Sequence, residues 1–86
     1  MISHDYTPRG VCARNIHVDL SDDGQTILGT SFVSGCNGNL KAISKLVKGR
    51  TVDEVCDLLE GNTCGMRSTS CADQLTRALR EAQKLV

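Results

Sequence analysis

The chain has 86 residues, ten basic and ten acidic side chains, and a formal net charge of zero. That length allows one domain, residues 1–86, and excludes a multidomain machine. The charge balance excludes the electrostatic footprint of a protein that binds nucleic acid or an anionic membrane.

A chain this short buries only roughly 60–65% of the surface its unfolded form exposes. Its apolar residues are also small: there is no Trp, one Phe (Phe32) and one Tyr (Tyr6). Cores this thin usually carry a staple, whether disulfides, a metal or a partner chain. The N-terminal run Met1-Ile2-Ser3-His4-Asp5-Tyr6 has no basic region and no apolar h-region, so no secretory signal is expected. The longest uncharged stretch, Gly24 to Leu40, is too rich in Gly, Ser, Thr and Asn to span a membrane. The expected location is the cytoplasm, where thiols stay reduced. An odd count of five cysteines also fits a closed disulfide framework poorly.

In chain order, a short strand around Ile2 to Thr7 is closed by a turn at Pro8-Arg9-Gly10. From Cys12 to Leu20 the residues alternate, with Ile16, Val18 and Leu20 on one face and Asn15, His17 and Asp19 on the other. Period two marks a half-buried strand. Ser21-Asp22-Asp23-Gly24 has turn chemistry, and a further strand over roughly Thr26 to Ser34 completes an antiparallel hairpin. After Gly35-Cys36-Asn37-Gly38 the period changes. Leu40, Ile43, Leu46 and Val47 fall at helical spacing, with Lys41, Lys45 and Lys48 outside and Gly49 as the stop. Thr51 with Glu54 matches a capping box that opens a short helix carrying Val52, Val55, Cys56 and Leu59. Ser70 with Asp73 is a second such box, opening a last helix whose apolar stripe is Leu75, Ala78, Leu79, Ala82 and Leu85. Strands first and helices after predict an α+β fold: an antiparallel three-stranded sheet followed by about three helices packed on one face.

The positions of the cysteines carry more than their number. Cys12 opens the central strand, Cys36 sits at the strand-to-helix junction, and Cys64 and Cys71 flank a polar loop, with Cys71 in the first turn of the last helix. All four lie at element ends. Two of them precede or open a helix, where unpaired N–H groups and the dipole favour a thiolate. Four thiolates satisfy tetrahedral zinc without water, so these four are the expected metal ligands. Their spacing is not that of a zinc-finger pair, and small buried hydrophobes would be the plainer reading of such cysteines. Cys56 falls on the apolar stripe of its helix and is expected in the core. His17 is expected as a solvated side chain on the polar strand face, and His4 carries no signal. Gly35-Cys36-Asn37-Gly38-Asn39 before a helix suggests a phosphate cradle, but it lacks both the P-loop Lys-Ser/Thr and the G-x-G-x-x-G spacing. No pattern suggests a catalytic triad or a paired-carboxylate site.

Gly10-Val11-Cys12, Gly35-Cys36-Asn37-Gly38-Asn39-Leu40 with Ile43-Ser44 and Leu46-Val47, Cys64-Gly65, and Thr69-Ser70-Cys71-Ala72-Asp73-Gln74-Leu75 together resemble the TSCPD-domain family, in its small stand-alone four-cysteine branch. Ala72 stands where that family usually has proline, at a helix start that tolerates either residue. TSCPD modules also occur at the ends of adenosylcobalamin-dependent ribonucleotide reductases, so the resemblance implies a reductase-related accessory module. The chain is too short for the reductase's catalytic barrel. A more distant similarity is to iron–sulfur scaffold proteins of the IscU/NifU N-terminal type, carried by Cys12, Cys36, the Val47-to-Glu54 stretch and Cys71 in that order. It implies a fold of the SufE/NifU-like kind. Arg14 replaces that family's aspartate, and Cys64 is extra.

The expected function is a small zinc-binding accessory module. An iron–sulfur cluster or persulfide carrier is one alternative, and an accessory subunit of a ribonucleoside-diphosphate reductase is another. The expected partner is a protein such as a ribonucleotide reductase, not nucleic acid or a membrane, and a homodimer stays open.

Overall fold

The computed structural model describes residues 1–11, 13–34, 37–63 and 69–86. Three strands, β1 (Ile2–Tyr6), β2 (Asn15–Leu20) and β3 (Ile27–Val33), are followed by three helices, α1 (Asn37–Val47), α2 (Val52–Leu59) and α3 (Cys71–Gln83). The sheet is antiparallel throughout in the order β1-β2-β3. Ile2 pairs with Leu20 and Tyr6 with Ile16 on one side of β2, while Val18 faces Thr30 and Ile16 faces Phe32 on the other. A bulge after Asp19 leaves Leu28 as the extra residue of β3. The α+β architecture expected from the sequence is therefore present.

The alternation of β2 sets the two faces. Ile16, Val18 and Leu20 are fully buried against the helices, together with Ile27 of β3 and Leu75, Ala78, Leu79 and Ala82 of α3. Helix α3 packs on β1 and β2, and α1 packs on β3. The hairpin turn forms as its residues require. Gly24 N–H donates to Ser21 O over 2.8 Å, and Asp23 Oδ1 accepts from Gln25 N–H over 3.0 Å. Gly24 has φ +72, and a Cβ there would lie 2.6 Å from Val86, so glycine is needed both for the backbone and for the close approach. Gln83 of α3 donates to the Gly24 carbonyl over 2.9 Å, fastening the end of the last helix to this turn.

The α1–α2 connection covers the first part of the β3 edge. Ile27 N–H donates to Arg50 O and Val52 N–H to Gln25 O, both over 2.9 Å. The Thr51 capping box forms in full: Glu54 N–H donates to Thr51 Oγ1 over 3.1 Å, and Thr51 N–H to Glu54 Oε1 over 3.3 Å. Three local expectations change. The central strand begins at Asn15 because Arg14 N–H leaves the regular ladder to bond Val33 O over 2.7 Å. Leu46 is 67% exposed, because α1 rests on the sheet through Leu40 and Val47 and turns Leu46 outward. Leu85 is exposed because α3 ends at Gln83. Cys56 is buried in the core as expected, its thiol 3.8 Å from the Thr76 carbonyl oxygen, and burial pushes its pKa up.

On the outer face of the sheet the His17 side chain is 34% exposed, on the polar face as expected, and it is also clamped. Its Nδ1 lies 2.9 Å from Asp5 Oδ1 and its Nε2 2.9 Å from Asp19 Oδ1. Only the doubly protonated ring can donate to both carboxylates. Asp5 first, and then Asp19, therefore hold the His17 pKa above its ordinary 6.5 against the opposing effect of burial.

Two measurements check these readings. The stabilisation from a raised imidazole pKa is complete below about pH 6.5 and is lost as pH rises through the folded-state value. The melting-temperature advantage of the native protein over His17→Gln is therefore expected to be larger near about pH 6 than near about pH 8.5. Cys56→Ala is expected to cost only about 1 kcal/mol in denaturant unfolding, as for a small buried side chain.

Candidate functional site

Cys71 opens α3, with Ser70 as the N-cap. Ser70 has extended backbone, and its hydroxyl accepts from Asp73 N–H over 3.1 Å. The reciprocal half of the predicted capping box does not form. Asp73 turns its carboxylate elsewhere, accepting from Gly61 N–H over 2.7 Å through Oδ1 and from the Thr69 hydroxyl through Oδ2. The Thr69 hydroxyl bond leads the causes that hold the Asp73 carboxyl below the usual range, against burial, and the Gly61 N–H adds to it.

Gln74 extends the network. Its Nε2 donates to Thr69 Oγ1 over 3.0 Å, while its Oε1 accepts from Tyr6 O–H and from Arg9 N–H, each over 3.2 Å. Thr69, Ser70, Asp73 and Gln74 are all buried. Their polar groups are worth burying only because they satisfy one another. Cys71 itself is half-buried, and among the described residues its thiol takes no hydrogen-bond partner.

These bonds tie two chain segments to the start of α3. The β1–β2 loop is held by Arg9 N–H and by Gly10, whose φ of +72 brings it where a Cβ would lie 3.4 Å from Thr69. The α2–α3 loop is held at Gly61 and at Asn62, whose Nδ2 lies 3.3 Å from Ser70 Oγ and whose carbonyl accepts from the Ser70 hydroxyl. The bond from Arg14 N–H to Val33 O joins the β1–β2 loop to the end of β3.

Of the four cysteines expected to bind metal, Cys71 is described, and Cys12, Cys36 and Cys64 lie outside the described residues. Gly35 and Cys36 of the expected phosphate cradle lie outside them as well. Among the described residues no three His, Cys, Asp or Glu side chains are grouped to hold a metal ion. Asp5 and Asp19 do not form one with His17, because they occupy opposite nitrogens of its ring. No helix among the described residues is long and apolar enough to cross a membrane.

Sequence reasoning found Cys71 and the Ser70 cap but missed Thr69, Gln74, Tyr6 and Gly61 as parts of one network. The signal available was local: Thr69, Ser70, Asp73 and Gln74 are four hydrogen-bonding side chains within six residues, at the mouth of a helix.

The arrangement defines a small α+β domain whose last helix starts inside a buried polar clasp, with a cysteine at its first position. The model of the TSCPD domain family matches residues 1–83, nearly the whole length, and the chain belongs to that family. No curated protein and no solved structure matches the chain.

Removing the Asp73 carboxylate would leave the Gly61 N–H and the Thr69 hydroxyl without their partner. Asp73→Ala is therefore expected to destabilise the protein by about 2–4 kcal/mol. Thr69→Val should cost a comparable amount, because Asp73 Oδ2 loses its donor and Gln74 Nε2 its acceptor. Urea denaturation of both variants, under reducing conditions, checks this. Equal stability of Asp73→Ala and the native protein would dismiss the clasp as a stabilising element.

Proposed function

We propose that this chain is a small metal-binding accessory module, holding a zinc ion through Cys12, Cys36, Cys64 and Cys71. The observation that carries this reading is that described residues near Cys12 and Cys64 bond or touch the start of α3, where Cys71 lies, and that a described residue near Cys36 bonds one near Cys12. Gly10 and Arg9, two and three residues before Cys12, touch or bond the Thr69–Gln74 run. Asn62, two residues before Cys64, bonds Ser70. Arg14, two residues after Cys12, bonds Val33, three before Cys36. These bonds support the reading because each involves a residue at most three positions along the chain from one of the cysteines.

The donor set fits the metal. Four thiolates are the ligand set of structural zinc, and such a site is closed and supplies a cross-link rather than a reactive position. It would carry a net charge of −2. The free N–H groups at the start of α1, which follows Cys36, and of α3, which opens at Cys71, can offset that charge. The thin core supplies the need. The largest fully buried side chains are Ile16, Leu20, Ile27, Leu75 and Leu79, with no aromatic among them. The partner we infer is a protein. The occurrence of family members at the ends of adenosylcobalamin-dependent ribonucleotide reductases makes such a reductase the first to test by copurification.

Elemental analysis of protein purified without added metal is expected to give about one zinc per chain. Chelation under reducing conditions should lower the melting temperature, and an unchanged melting curve of metal-free protein would end the proposal. Cys36→Ser and Cys71→Ser should lose the metal and much of the stability, while Cys56→Ala should keep it. Anaerobic reconstitution with iron, sulfide and a thiol distinguishes a closed site from a carrier. Efficient transfer of an intact 2Fe–2S cluster to an apo-ferredoxin would replace the zinc reading with the scaffold one.

A further inference from the structure

We infer that the cleft between α1 and the β3 edge is a binding site for a small organic oxyanion, a phosphate monoester or a carboxylate joined to a compact apolar group. The cleft has a volume of about 570 Å³ and is lined by Thr30, Ser31, Phe32, Ser34, Leu40, Lys41, Ser44 and Lys45. That volume lies within the range of small-molecule sites. It stands on described residues alone and does not depend on the metal reading.

Its chemistry is divided as a ligand site requires. Phe32 and Leu40 give an apolar floor where the sheet and α1 meet. Lys41 and Lys45 are exposed and stand one helical turn apart, so their charges add on one side of the helix and repel each other until an anion joins them. No carboxylate lines the cleft, and among the described residues neither lysine makes an ion pair.

Two further features point to a missing partner. Thr30 pairs with Val18, so it lies on the helix-facing side of the sheet. Among the described residues its hydroxyl oxygen is buried with no hydrogen-bond partner. A buried orphan of this kind is rare and costs stability unless something supplies its bond. Ser34, on the same wall, has φ 66, a left-handed conformation that is uncommon for serine and that clusters at ligand sites. An oxyanion between Lys41 and Lys45, with its apolar body on Phe32 and Leu40, would give the charges a counter-ion and could give the Thr30 hydroxyl an acceptor.

The test is an amide NMR titration of the 86-residue chain with phenyl phosphate, phenylacetate, inorganic phosphate and benzyl alcohol. The two aromatic oxyanions are expected to give saturable shifts confined to Thr30–Ser34 and Leu40–Lys45, and the tighter of them names the head group. Lys41→Ala with Lys45→Ala should weaken that binding by about tenfold or more, the loss expected for charge-assisted bonds. Thr30→Val, which removes the orphan hydroxyl at nearly constant shape, should melt no lower than the native protein and still bind the ligand more weakly. No shifts at millimolar phenyl phosphate and phenylacetate, or shifts that survive the double lysine variant, would overturn the site. Equal binding of benzyl alcohol would overturn the role of the anion, and equal binding of inorganic phosphate that of the apolar floor.

Discussion

The Asp73 carboxylate, buried at the first turn of α3, fixes where that helix begins, and much else follows from that point. It accepts from Gly61 N–H on one side and from the Thr69 hydroxyl on the other. Helix α3 is the element that packs on both β1 and β2. Its start therefore positions Leu75, Ala78 and Leu79 on Ile16, Val18 and Leu20. Through Gln74 the same turn reaches Tyr6 and Arg9, so the N-terminal strand and the loop after it are indexed to the last helix. A buried polar network of this kind tolerates no missing member, because each group relies on its neighbour in place of water.

The sheet separates two kinds of stability. Its inner face is held by burial of branched aliphatics, which is non-directional and insensitive to pH. Its outer face is open and held by charge. His17 stands between Asp5 and Asp19 at the centre of β2, and Asn15 donates to Asp5 over 3.0 Å. Asn15 and His17 together keep the Asp5 carboxyl below its ordinary range. The outer face is thus best held between the titration of Asp5 and that of His17, while the inner face is not tied to that window.

Beside α1 the described residues leave two kinds of unfilled space. Between α1 and α2, Ile43, Leu46, Val55 and Leu58 line an apolar groove, and Leu58 is 76% exposed. Between α1 and β3 the walls are mixed, with hydroxyls and lysines over an apolar floor. Of these two, the second offers groups whose bonding is incomplete among the described residues, in the Thr30 hydroxyl and the Lys41 and Lys45 ammonium groups. A ligand could therefore change their energies specifically.

The sequence determined the order of the elements, because strand and helix periods depend on neighbouring residues alone. The alternation of Asn15 to Leu20, the Gly24 turn, the Thr51–Glu54 box and the core position of Cys56 are all local patterns. It also determined the family, through runs at Cys12, Cys36, Cys64 and Cys71 that span the chain. The tertiary structure decided what no window of sequence contains. Asp73 could have closed a second capping box but instead bonds Gly61, twelve residues away, because a loop N–H stands there to be satisfied. His17 lies on the open face as its alternation predicts, but only the pairing of β1 with β2 sets Asp5 beside it. Leu46 matched the apolar stripe of α1, yet it faces solvent because the sheet supplies a surface to only one side of that helix. In each case the deciding contact joins residues brought together only by the fold, and the chain between them carries no trace of it.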